Sequence, residues 1–336
     1  MKKYRRMTLI FAVIIVGTLL TLAFKLPRYY ITPKSAFEPS WGITFSKIYA
    51  ESLGLSWHET YRALISDLGV KKIRLPVYWS DISSERGKIR LDDYEYLVGE
   101  AKKYNVDVVI VVGERLPRWP ECHAPLWAKD LSEEEHEKEL MNYISSVVNA
   151  FKGERVVRGW QVENEPLVWW FGKCGRVKKD RVRREVALVR SLDTKPIMIT
   201  DSGELGTWKK TFSLGADKFG FTMYRVTWNT FFGYFRYPLP PSYYRFRAWL
   251  SGITWSKTSV AELQAEPWIP HKKTIPETAL EEQFKSRNPE QLRANLNFAR
   301  ALEVPEAYLW GAEWWYYLKG KGDERMWGEV KQLFNP

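Results

Sequence analysis

Cysteine and histidine are scarce in this chain of 336 residues: Cys122 and Cys174 are the cysteines, and His58, His123, His136 and His271 the histidines. The histidines are scattered and no C-x-x-C or H-E-x-x-H occurs, so neither a bound metal nor a dithiol redox centre is implied, and no cofactor is expected. Acidic residues are absent from the first 34 positions, which carry Lys2, Lys3, Arg5, Arg6, Lys25, Arg28 and Lys34. The formal net charge of +11 therefore leaves only +4 for everything after residue 34. Charges there are mixed in sign, as from Lys178 to Arg190, the pattern of a solvated helical face rather than a phosphate track. Nucleic acid is not expected as a partner. Repeats, low-complexity tracts and a second compositional region are also missing, which favours one domain over two.

A long uncharged run is present, from Met7 to Phe24. As a helix it would rise about 27 Å, close to the thickness of a bilayer core. Four basic residues precede it, the arrangement read by export machinery, with the basic end retained in the cytoplasm. Thr21-Leu22-Ala23-Phe24-Lys25 offers no small-x-small cleavage site, which favours an uncleaved anchor over a signal peptide. The expected organisation is a cytoplasmic basic tail (1–6), a transmembrane anchor (7–24), a linker (25–36) and a single catalytic domain (37–336) outside the membrane.

From Trp41 onward, short β-rich runs alternate with amphipathic helical runs, which predicts an α/β fold with a parallel sheet and helices outside. The expected strands are Gly42 to Phe45, Lys72 to Pro76, Val106 to Val112, Val156 to Val162, Pro196 to Thr200, Phe219 to Tyr224, Thr258 to Glu262 and Ala307 to Gly311. Eight such units in this length fit one (β/α)8 TIM barrel. Ser132-Glu133-Glu134-Glu135 is a capping box for a helix ending near Phe151, and Asn288-Pro289-Glu290 opens another. Trp57, Tyr61, Leu64 and Leu68, like Leu91, Tyr94, Val98 and Ala101, form helical stripes that belong to the core.

Trp160-Gln161-Val162-Glu163-Asn164-Glu165-Pro166 closes the fourth strand on an Asn-Glu pair, and Thr258-Ser259-Val260-Ala261-Glu262-Leu263-Gln264 closes the seventh on another glutamate. Carboxylates at strand exits of a barrel are placed for chemistry. Together these segments resemble the acid/base and nucleophile strands of retaining TIM-barrel glycoside hydrolases, the large clan A-like group of cellulases, xylanases and mannanases. The resemblance implies Glu165 as acid/base and Glu262 as nucleophile in a double displacement, with the two carboxyls about 5 Å apart. It further implies Asn164 as a partner of the sugar 2-hydroxyl, Arg74 and Tyr224 as residues that hold the nucleophile, and Trp310 or Trp314 as the platform beneath the sugar. This chain has Ala261-Glu262-Leu263-Gln264 where the family often has Thr-Glu-Phe-Gly. Glu266 and Glu313 are rival carboxylates lying farther out in loops.

Seventeen tryptophans are many for one domain. Trp79, Trp119, Trp127, Trp169, Trp170, Trp228, Trp268, Trp314 and Trp315 fall in expected strand-to-helix loops, where flat rings suit the C–H faces of pyranoses. The expected substrate is an oligo- or polysaccharide, probed above all by Trp119 and Trp268. Cys122 and Cys174 fall in loops after the third and fourth strands, where a disulfide and two free thiols are both open. Two other readings compete: a glycan-binding envelope protein without turnover, and a barrel enzyme for phosphorylated metabolites. The second lacks the glycine-rich loop after the last two strands that phosphate binding requires.

Overall fold

A computed structural model describes Gly17 and residues 36–270 and 273–335. The expected tail, the anchor apart from Gly17 and most of the linker lie outside the described residues, and among those described no helix is long and apolar enough to cross a membrane.

The eight expected strands all form: β1 (Ser40–Thr44), β2 (Lys72–Pro76), β3 (Asp107–Val112), β4 (Val157–Val162), β5 (Ile197–Asp201), β6 (Lys218–Met223), β7 (Thr258–Gln264) and β8 (Glu306–Trp310). They close into one parallel barrel in which each strand pairs with its sequence neighbours and β8 returns to β1. Parallel strands are covered on both faces, which is why runs such as Val108-Val109-Ile110-Val111-Val112 are apolar without alternation. A separate antiparallel hairpin, Val226–Asn229 with Gly233–Arg236, follows β6.

Local sequence sets the helix boundaries. Ser132 and Glu135 form the expected capping box of the helix Glu133–Phe151. Asn288 and Gln291 form a second one at Pro289–Leu302, with proline in the first turn. Trp57, Tyr61, Leu64 and Leu68 are buried, as are Tyr94, Val98 and Ala101. The charged helix Lys179–Leu192 has the expected solvated face, with Lys179, Asp180, Arg183, Arg184 and Arg190 exposed, but it also turns Arg181 and Glu185 inward. Its Glu185 is fully buried, and Arg181 Nε lies 3.1 Å from that carboxylate and Arg181 Nη1 2.7 Å from Glu114. A helix covering a barrel has an inner face, and here that face carries charge because it meets a charged loop after β3.

Two local irregularities aim the site. Val260 pairs with Phe221 and Glu262 with Thr222, so β7 carries one residue more than β6 at Ala261. The register against β8 shifts at the same place. Such a bulge turns a side chain away from simple alternation, and it does so at Glu262. At Gly113 the backbone has φ 137°, and a Cβ there would meet the Glu163 carboxyl at 2.8 Å. Glycine is required where the β3 loop crosses the end of β4.

Candidate active site

Arg74, rising from β2 into the barrel with no solvent exposure, organises the centre. Its Nη1 donates to Glu262 Oε1 at 3.0 Å, its Nε to Gln161 Oε1 at 2.7 Å and its Nη2 to Asn164 Oδ1 at 2.8 Å. The planar fork thus ties β2, β4 and β7 together, a task that the point charge of lysine could not perform. Tyr224, one residue past β6, donates its hydroxyl to the other oxygen of Glu262, Oε2, at 2.8 Å. Burial, reinforced by the Glu262 charge, keeps that phenol well above its ordinary range, so it remains a donor.

Glu165 is held separately. Its backbone N–H donates to Thr200 Oγ1 at 3.0 Å, Thr200 in turn donates to Asn164 Oδ1 at 3.1 Å, and Thr222 donates to Glu165 Oε1 at 3.0 Å. Burial raises the Glu165 carboxyl well above its usual range, and the nearby Glu262, Glu121 and Asp201 charges raise it further. Both causes favour the protonated form, the form a general acid needs. The structure accordingly brings Arg74, Asn164, Glu165, Tyr224 and Glu262 into one buried cluster.

A third carboxyl shares the cluster. Glu121, from the β3 loop, accepts from Asn164 Nδ2 at 3.3 Å and lies 3.7 Å from Arg115 Nη2. Burial pushes it up to about 8 against the pull of Arg115, with Glu262 adding repulsion.

Arg118, from the same loop, reaches across the mouth. It pairs with Glu266 beyond β7 and, at 2.8 Å, with Glu313 beyond β8. Its guanidinium lies 3.6 Å from the centre of the Tyr49 ring and 3.9 Å from that of Trp310. Glu313 also accepts from the Ser46 backbone at 2.5 Å. The two rival carboxylates are thus bound to a cation of the protein itself, apart from the Arg74 centre.

The tryptophans divide. Trp310 ends β8 beside Arg118, and Trp268 stands edge-on to Tyr224 with ring centres 5.4 Å apart. Trp119, at the tip of the β3 loop, is 63% exposed and contacts Phe171. Trp314 is placed differently from the expectation of a sugar platform: it is fully buried, and its Nε1 donates to Gln283. Trp79 and Trp315 are likewise core residues, because helices that open directly after a strand turn their first residues inward. The cysteines are two unbonded thiols, with Cys174 hydrogen-bonded to Cys122 and Cys122 donating to Glu114 at 3.4 Å.

No family model matches the chain, and no curated protein matches it in sequence. Solved structures do match. Xylanase 10B from Thermotoga maritima aligns with 88% of this chain and 94% of its own at TM-score 0.57 and 16% identity. An endo-β-1,4-xylanase of glycoside hydrolase family 10 from Gloeophyllum trabeum aligns over 92% and 100% at TM-score 0.56 and 13% identity. The exo-β-1,4-mannosidase Op5Man5 from Opitutaceae bacterium strain TAV5 aligns over 84% and 54% at TM-score 0.54 and 14% identity. The fold is that of the clan A-type glycoside hydrolase barrels. At such identities the likeness extends to the fold alone.

Several residues of this barrel's site were not singled out from the sequence: Arg115, Arg118, Glu121, Glu163, Thr200 and Thr222. Glu163 is fully buried and receives the backbone N–H groups of Glu114 and Arg115 at 3.0 and 2.7 Å, so it positions the whole β3 loop. The spacing Arg115-x-x-Arg118-x-x-Glu121 directly after a barrel strand was the available signal, since strand exits collect functional charge.

Proposed function

We propose that the protein is a retaining glycoside hydrolase acting on a β-linked glycan, with Glu165 as acid/base and Glu262 as nucleophile. The observation that carries this reading is the contrast between two carboxyls in one buried cluster. Burial and the Glu262 charge shift Glu165 toward its protonated form, whereas Glu262 receives Arg74 on one oxygen and Tyr224 on the other. Environments that separate two carboxyls in this way assign acid and nucleophile. Glu165 would protonate the leaving oxygen as Glu262 attacks the anomeric carbon. The resulting Glu165 carboxylate would then take a proton from water, which attacks that carbon and releases Glu262. A sugar hydroxyl in place of water gives transglycosylation by the same steps. The structures similar to this barrel include xylanases and a mannosidase, which supports a polysaccharide or oligosaccharide substrate.

A second reading is favoured by Arg118, whose guanidinium lies on the Trp310 ring where the resemblance would put a sugar. In that reading the barrel binds glycans without turning them over. We also infer from the basic N-terminus and the uncharged run 7–24 that the catalytic domain is held outside the membrane by a single anchor.

Turnover of aryl β-glycosides and β-linked polysaccharides by the full chain in detergent tests the enzyme reading. Glu165→Gln and Glu262→Gln should each lower kcat by at least about 10³, some 4 kcal/mol of barrel-held stabilisation. Azide should rescue Glu165→Ala to a β-glycosyl azide and Glu262→Ala to the α-anomer. Binding without turnover in the wild-type protein would select the second reading instead.

A further inference from the structure

The two oxygens of Glu262 divide the centre into flanks. Oε2 faces Tyr224, while Oε1 faces Arg74, behind which stand Asn164 and Glu121. An anomeric carbon attacked by Glu262 has two ring neighbours of opposite chemistry. The ring oxygen can only accept, and it gains positive charge in the transition state. Carbon 2 carries a hydroxyl that donates as well as accepts, and its hydrogen bonds strengthen in the transition state.

The Arg74 flank matches the second neighbour only if it supplies an acceptor. Asn164 cannot provide one, because its Oδ1 already accepts from Arg74 at 2.8 Å and from Thr200 at 3.1 Å. Its Nδ2 is a donor directed at Glu121 Oε2. The acceptor on this flank is therefore the Glu121 carboxyl.

Glu121 is built into place. It is 6% exposed and its backbone is left-handed at φ 69°, a strained conformation for a non-glycine residue that persists only where surrounding structure enforces it. Its N–H donates to Arg118 O at 2.7 Å and its carbonyl accepts from Leu116 N at 2.9 Å. Gly172 packs so closely that a Cβ there would lie 2.6 Å from the Glu121 Cβ, so the side chain cannot retreat. Arg115 does not take up the carboxyl, since its Nη1 and Nη2 make no hydrogen bond.

We infer that Glu121 binds the hydrogen-bond donor carried at carbon 2 of the sugar, making the site selective for glycosides with a free hydroxyl there. The inference rests on the glycosidase reading for its orientation of the sugar. It differs from that reading in its residue and in its test.

Titration calorimetry on the full chain with 1-deoxynojirimycin, 1-deoxymannojirimycin and fagomine provides the test, since fagomine lacks only the carbon 2 hydroxyl of either. The wild-type protein should bind one of the hydroxylated compounds at least about tenfold more tightly than fagomine, the worth of about one buried hydrogen bond. In Glu121→Ala that ratio should fall to within about threefold, with Glu121→Gln between the two; the near-isosteric Gln variant serves where the Ala variant does not fold. A ratio unchanged in the variants overturns the assignment even if glycosides are turned over. A ratio that depends on Glu121 in a protein without turnover sustains it and removes the catalytic reading. Failure of the wild-type protein to bind any of the three removes both.

Discussion

The two ends of this barrel treat buried acids in opposite ways. Where the strands begin, Glu306 lies 2.9 Å from Lys72 and 3.6 Å from Lys218. Burial alone would raise its carboxyl, but the two ammonium groups outweigh burial and hold it below its ordinary range. Arg158 and Asp107 make a further pair there at 2.6 Å. Where the strands end, Glu121, Glu163 and Glu165 are all pushed upward by burial, with Glu262 adding repulsion at Glu121 and Glu165 and Glu114 adding it at Glu163. Backbone conformation follows the same division. Arg118, Glu121, Glu163 and Glu165 have positive φ beyond the strand exits, whereas the other two such non-glycine residues among those described, Asn105 and Glu303, merely follow the ends of helices. One end neutralises its charges for stability, and the other shifts acids toward their protonated form and keeps backbone strained, the signature of a site arranged for chemistry.

Substitution of Arg74 should break this contrast most severely. Arg74→Met leaves Glu262, Gln161 and Asn164 facing one another without their shared donor. Removing one partner of such a buried pair costs about 3–5 kcal/mol. Chemical denaturation should register that loss, together with a fall in turnover as large as that of Glu262→Gln.

Glu121→Gln sharpens the contrast through pH. Because the folded carboxyl is raised to about 8, its contribution to stability is full below the unfolded carboxyl range near 4.5 and is lost as pH rises through about 8. The loss amounts to about 1.4 kcal/mol for each pH unit separating the two states. Melting curves from pH 5 to 9 should therefore fall more steeply for the wild-type protein than for the variant.

Tyr224→Phe removes one hydrogen bond to a charged group, worth about 1.5–3 kcal/mol, and should lower kcat by roughly ten- to a hundredfold with the fold intact. Lys72→Ala, at the opposite end, should change stability by less than about 1 kcal/mol and leave kcat unaltered. Glu306→Gln should matter in the reverse pH direction from Glu121→Gln. Its depressed carboxyl contributes stability above the unfolded range near 4.5, and that contribution fades as pH falls through the folded value.

The fold was legible because its signals are local and periodic. Every strand of the barrel begins within two residues of its expected position, and both capping boxes form around the serine and asparagine that announce them. Asn164, Glu165 and Tyr224 could be named because each stands just beyond a strand end, and Arg74 and Glu262 because each lies within a strand legible from its own apolar run. Glu121 and Arg118 could not, since their positions depend on a loop whose course is fixed by its own Gly113 and by Glu163 from the next strand. Trp314 misled for a related reason: after β8 the chain enters a helix at once, and the second tryptophan turns inward. The solvated reading of Lys178 to Arg190 holds for most of its charges and missed only Arg181 and Glu185, because mixed charge looks alike on a surface and in a buried network.

The left-handed backbone at Glu121 and Glu165, with φ of 69° and 46°, carries an evolutionary consequence. Glycine would relieve the strain at both positions and abolish two buried acids, so each change would tend to stabilise the fold while removing the chemistry. A laboratory selection for heat resistance alone should therefore drift toward a tougher, silent barrel. Retaining a glutamate at these positions takes selection for something other than folding.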